Sequence, residues 1–220
     1  MNNLQKIGGV AALIEAATYV VGFGLIFTLL APLAGDLDPD QYMAFLVDNH
    51  TLLYIWHLFI YVVNGIFLVV LALALYERLK AGCSPAMAQT ATAFGLIWAG
   101  LVIASGMIFI IGMNTVVDLY GQDPAQAATV WLAINSVFEG LGGGVEIVGG
   151  LWILLLSWAA LRTGELPRAL NYLGVLIGVA GILTVIPAIG ELGGAVFGLG
   201  FIVWFVWVGI VMLRGSPSAA

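Results

Sequence analysis

TLLYIWHLFIYVVNGIFLVVLALALYERLK, from Thr51 to Lys80, decides how this chain folds. Residues 51–75 contain no Asp, Glu, Lys or Arg. A helix needs only ~20 apolar residues to cross a bilayer, so this run spans one. Five more runs can be read outward from it, over 7–30, 88–113, 126–161, 168–189 and 193–213. The chain is 62% hydrophobic and 8% charged, far from the composition of a soluble domain. Sequence therefore predicts an all-α fold: one polytopic transmembrane bundle of six helices occupying residues 1–220.

The basic residues orient it. Lys6 precedes the first run, Arg78 and Lys80 separate the second from the third, Arg162 and Arg168 separate the fourth from the fifth, and Arg214 follows the last. The remaining connections carry acids, with Asp36, Asp38, Asp40 and Asp48 in one and Asp118 and Asp123 in another. The positive-inside rule then puts both termini in the cytoplasm and the acidic loops outside. A net charge of −6 carried by such loops gives no footprint for nucleic acid. The single cysteine, Cys83, admits no internal disulfide. The first run is too long for a secretory signal core and contains Glu15, so it reads as a retained membrane helix.

Two stretches resemble one another. DPDQYMAFL (Asp38 to Leu46) matches DPAQAATVWL (Asp123 to Leu132), and LKAGCSP (Leu79 to Pro85) matches LRTGELP (Leu161 to Pro167). Between these marks His57 and Asn64 fall in register with Glu139 and Glu146. Asp38 and Asp123 suit helix caps, with Pro39 and Pro124 in the first turn. Gly82 and Gly164 suit helix ends. The pattern is that of a parallel duplication of helix hairpins 2-3 and 4-5; its alternative is the similarity that short turns between apolar helices share by composition.

The fourth run is too long for one straight crossing, at roughly 57 Å from Pro124 to Leu161. It holds Gly140, Gly142, Gly143, Gly144, Gly149 and Gly150. Such glycines serve close helix packing, or a kink that opens backbone carbonyls to a cavity. Gly194 and Gly198 form a small-xxx-small pair on the sixth run.

Polar groups inside these runs need an explanation. His50, Tyr54, His57, Tyr61 and Asn64 recur at helical spacing on the second run. Asn135, Glu139, Gly142, Glu146 and Gly149 repeat that spacing on the fourth. Counting from the basic ends at about 1.5 Å per residue places His57 and Glu139 near the outer boundary. Asn64 and Glu146 come out roughly 10 Å deeper, and Glu15 close to mid-membrane. A charge at the centre of a bilayer costs ~2.5 kcal/mol or more, and persists when paired, hydrated or protonated. The expected site is an outward-opening cavity lined by Glu15, His57, Asn64, Glu139 and Glu146, with Glu146 and His57 as its central pair. The bland alternative is interhelical hydrogen bonding by the same groups.

Chemistry narrows the ligands. Both histidines lie on one helix with alpha carbons about 10.5 Å apart, which argues against a bis-histidine haem. His57, Glu139 and Glu146 include ligand types that suit a divalent metal, but the paired Glu-x-x-His spacing of di-iron bundles is absent. Asp36, Asp38 and Asp40 alternate like early EF-hand ligands; Pro39 interrupts them and no later Glu completes the loop. A small polar solute, a metal ion or a proton in the cavity is the leading reading, for transport or sensing. A metal-dependent membrane enzyme at the same groups is one alternative. A structural or assembly subunit of a membrane complex is another. No catalytic residue can be named.

LPRALNYLGVLIGVAGILTVIP (Leu166 to Pro187) resembles a recurring feature of an uncharacterised family of small bacterial six-helix integral membrane proteins. In that family a Leu-Pro-Arg turn leads into a glycine-rich helix. IGGVAALIEAATYVVGFG (Ile7 to Gly24) is compatible with the family's first helix. The resemblance implies a bacterial cytoplasmic-membrane protein and transfers no site residues.

Overall fold

A computed structural model describes residues 3–34, 37–82 and 84–214. Asp36 and Cys83 lie outside the described residues. The regular elements among those residues are all helical. In chain order they are α1 (Asn3–Ile26), α2 (Pro39–Asp48), α3 (His50–His57), α4 (Asn64–Leu79), α5 (Pro85–Tyr120), α6 (Pro124–Phe138), α7 (Ile147–Thr163), α8 (Arg168–Leu183) and α9 (Gly190–Arg214). A π-helical stretch, Leu58–Val63, joins α3 to α4 without interruption. A second one, Glu139–Gly143, follows α6.

Local chemistry sets the helix starts. Asp38 accepts from the Gln41 backbone N–H at 2.8 Å while the Gln41 side chain accepts from the Asp38 N–H, a reciprocal cap ahead of α2. Asp123 accepts from the Gln126 N–H at 3.0 Å, and Ser84 caps α5. Pro39, Pro85 and Pro124 occupy first turns, where a missing N–H costs nothing. Gly164 ends α7 in the left-handed region at φ 71°. The run expected over 168–189 stops as a helix at Leu183. Pro187 has no N–H to bond the Leu183 carbonyl, and its ring would collide with that carbonyl in a continuing helix.

The spans Asn3–Ile26, His50–Leu79, Pro85–Tyr120, Pro124–Thr163 and Gly190–Arg214 are long and apolar enough to cross a membrane. The sixth expected span is represented by α8, apolar but only 16 residues long. That is about 24 Å of helix, against a hydrocarbon core of ~30 Å.

The helices close into a ring in chain order. α1 packs on α4 and α9, α4 on α5, α5 on α7, α7 on α8, and α8 on α9. Close approach depends on small residues. A Cβ on Gly150 would stand 2.7 Å from the Gly178 carbonyl oxygen, and one on Gly178 would stand 2.8 Å from that of Gly150. The ring's outer face is apolar, with Ile66, Ile97, Ile111, Leu176 and Val203 exposed, as a lipid-facing surface requires.

Two buried clusters fill the interior. One holds Trp152, Phe201, Trp204 and Phe205 and extends toward the end that carries Arg78 and Lys80. The other joins α2, the start of α3, the end of α5 and α6 through Met43, Leu46, Leu53, Met113 and Trp131. At 36 residues, or about 54 Å, α5 is long enough to contribute to both. The functional candidates sit where the two clusters meet.

Candidate functional site

The fourth span is broken. After Phe138 the chain makes the π-helical turn Glu139–Gly143, runs without helical structure to Glu146, and restarts at Ile147. Gly142 adopts φ 138°, a conformation that side-chain-bearing residues rarely reach. The turn is held by the Glu139 carbonyl, which accepts from the Gly144 and Val145 N–H groups at 3.2 and 3.3 Å.

A break in a span frees backbone groups, and buried groups must find partners. Ser105 on α5 donates to the Phe138 carbonyl at 2.9 Å. The Glu146 N–H donates to the Thr184 hydroxyl at 2.8 Å, and that hydroxyl donates onward to the Gly181 carbonyl at 2.7 Å. One tether thus holds each side of the break.

The second span is loosened at the corresponding place. In the register that pairs His57 with Glu139, the two π-helical stretches overlap. Such stretches are rare and shift the faces of the residues that follow. The expected five-residue stripe is divided within α3, before that stretch. His57, Tyr61 and Asn64 line an internal cavity, whereas His50 and Tyr54 are exposed and do not.

That cavity has a volume of about 420 Å³ and lies among α1, α2, the second span, α5, the broken fourth span and α9. Glu139 is exposed and accepts from Asn135 at 2.9 Å. Asn64, 2% exposed, lies at the floor. Glu146 lines the cavity, with its carboxylate facing the Trp98 indole N–H and its Oε2 closed to solvent. Glu15, 0% exposed, is one side chain further in. The Asn64 amide donates to Glu15 Oε2 and, at 2.9 Å, to Thr18 Oγ1.

His57 is packed rather than free. Its ring stacks on Phe109, with centroids 3.2 Å apart, and lies parallel to Tyr61. Its Nδ1 is 2.8 Å from the Leu53 carbonyl oxygen. A carbonyl only accepts, so Nδ1 carries the hydrogen. Glu146 and His57, expected as a central pair, share the cavity wall without a hydrogen bond between them. Among the described residues no three His, Cys, Asp or Glu side chains come together as a metal-binding group.

Several residues here were not singled out from sequence. Thr18, Ser105 and Thr184 make the hydrogen bonds that fix the floor and the break. Trp98 lines the cavity over Gly149, one turn on from Glu146; a Cβ at Gly149 would meet that indole at 2.5 Å. Phe197 completes the wall, 5.8 Å from Trp98 between ring centroids. Lone hydroxyls inside long apolar runs were the available signal for the first three. Nothing in the spacing marked the two aromatics.

No curated protein and no solved structure matches the chain. Residues 7–210 match the family described as a domain of unknown function, DUF4386, and the chain belongs to that family. With its apolar spans, it is an integral membrane protein.

Proposed function

We propose that this protein holds a small solute in a water-filled cavity that opens on the outer side of a bacterial cytoplasmic membrane, with six crossings and both termini inside. The observation that carries the reading is the break in the fourth span. Non-helical backbone at membrane depth is tolerated where it is buried in protein or lines an aqueous cavity. Here the break lies against a cavity, and it carries Glu146 there. Discontinuous membrane helices are a recurrent way to build solute sites.

In this reading Glu146 is the ligand-binding carboxylate, Glu139 stands at the mouth, Asn64 forms the floor, and His57 is part of the wall. Glu15 acts through Asn64 as a positioning residue. The orientation follows from the six basic residues at one end of the helices. Below the cavity Trp152, Phe201 and Trp204 fill the bundle, which supports capture or sensing over passage. Metal-dependent chemistry at the same cluster would need a further ligand beside Glu146.

Cysteine labelling tests the reading. In a Cys83→Ala background, Glu139→Cys and Glu146→Cys should react with a small impermeant thiol reagent added outside intact cells. Arg162→Cys should react only after the membrane is opened. An unreactive Glu146→Cys in a folded protein would sink the cavity, and an Arg162→Cys that reacts from outside would invert the orientation.

A further inference from the structure

The cavity described above contains carboxylates and, apart from the packed imidazole of His57, no basic side chain. Glu139 and Glu146 line it and Glu15 stands directly behind its floor, yet no lysine or arginine is among the described residues that line it. All six basic residues of the chain lie elsewhere. The start of α7 at Ile147 brings about half a positive charge from its peptide dipoles, too little to balance two carboxylates. Glu139 shares its charge with the Asn135 amide, and Glu146 faces a single neutral donor, the Trp98 indole N–H.

The remaining surface is aromatic. Trp98, Phe197, Tyr61 and Phe138 all line the cavity. Trp98 is 2% exposed, and its indole N–H is directed at the Glu146 carboxylate. Such a wall offers π faces, which attract organic cations within about 6 Å of a ring centroid. It also offers apolar area for a hydrocarbon group.

Resting on the solute-cavity reading, we propose that the occupant is an organic ammonium ion: a protonated amine whose N–H group donates to the Glu146 carboxylate while its hydrocarbon portion lies against Trp98 and Phe197. A bare metal ion lacks the ligand set, and an anion would face uncompensated carboxylates. A neutral molecule would bring no charge to pair with the Glu146 carboxylate.

The test uses phenylethylammonium, its neutral analogue 2-phenylethanol and its anionic analogue phenylacetate. Each is titrated by calorimetry into the full-length protein in phosphatidylcholine nanodiscs, with empty nanodiscs as the blank. The ammonium ion should bind saturably, and at least about tenfold more tightly than either analogue, the worth of one charge-assisted hydrogen bond. Glu146→Gln should erase that preference. Phe197→Leu, which keeps apolar bulk and removes the π face, should weaken the ammonium ion several-fold and 2-phenylethanol little. Equal binding of the alcohol, or tighter binding of phenylacetate, overturns the proposal. So does binding of none of the three. In that last case Glu146→Cys labelling separates the two readings: a reactive thiol leaves the cavity standing with another ligand class, and an inert one removes both.

Discussion

Asn64 donates from a single amide nitrogen to two acceptors on α1, the buried carboxylate of Glu15 and the Thr18 hydroxyl 2.9 Å away. Thr18 in turn donates to the Glu15 carbonyl at 2.8 Å. The three groups tie the first span to the second at the floor of the cavity. Glu15 is thereby an interhelical partner whose oxygen, rather than its charge, the geometry uses.

From this arrangement Glu15→Gln should fold and keep its thermal midpoint, since a Gln carbonyl can accept from Asn64. Asn64→Leu should be worse by about 1–3 kcal/mol, because it strands a buried carboxyl without its donor. Thermal unfolding of both variants in detergent checks the contrast; an Asn64→Leu protein as stable as the parent would contradict it.

Gly142 and Gly140 lie in the same turn, and a Cβ on either would meet nothing within 4 Å. They differ in backbone, Gly142 alone standing at φ 138°. Gly142→Ala should therefore cost about 1–3 kcal/mol through strain. Gly140→Ala should stay within about 0.5 kcal/mol of the parent. Unfolding midpoints measured side by side decide whether the break has this conformation.

The two tethers of the break are not equivalent. Ser105→Ala removes one donor from the Phe138 carbonyl, which should cost about 1 kcal/mol. Thr184→Val removes both an acceptor for the Glu146 N–H and a donor to the Gly181 carbonyl, and should cost more. If the order is reversed, the break is held by something other than these hydroxyls.

The α7–α8 contact should be intolerant of volume. At Gly150 an added Cβ would press on the Gly178 carbonyl oxygen, part of the backbone and unable to move aside as a side chain can. Gly150→Val should lower stability by about 1–3 kcal/mol through overpacking. Gly194→Val, where a Cβ meets nothing within 4 Å, is the matched control.

Much of this was legible from residues. Uninterrupted apolar runs closed by basic residues imply membrane helices, and the Asp-Pro pairs at Asp38 and Asp123 mark helix starts wherever they stand. Glu15, Asn64, Glu139 and Glu146 could be picked out because a polar group in an apolar run has no local reason to be there. The run at 126–161 admitted packing, the commoner explanation, or a kink, and the structure shows both. Gly149 and Gly150 pack against Trp98 and α8, while Gly142 lies in the break. The π-helical stretch Leu58–Val63 was not legible, since nothing in LFIYVV separates one helical pitch from another. The stripe nevertheless divides before that stretch, within α3, where His50 and Tyr54 are outside the cavity and His57 is in its wall. The length of α8 was misread because Pro187 acts on the carbonyl four residues earlier, not on its own position.

Water at the break is the central claim, and backbone hydrogen exchange in nanodiscs measures it most directly. Amides from Gly143 to Val145, of which Gly144 and Val145 share the single Glu139 carbonyl as acceptor, should exchange far faster than those of the flanking helices, Val130 to Val137 and Leu151 to Trp158. Exchange across residues 143–145 as slow as in those helices would mean a dry, continuously bonded span, and would contradict the cavity and every role assigned to Glu146 within it.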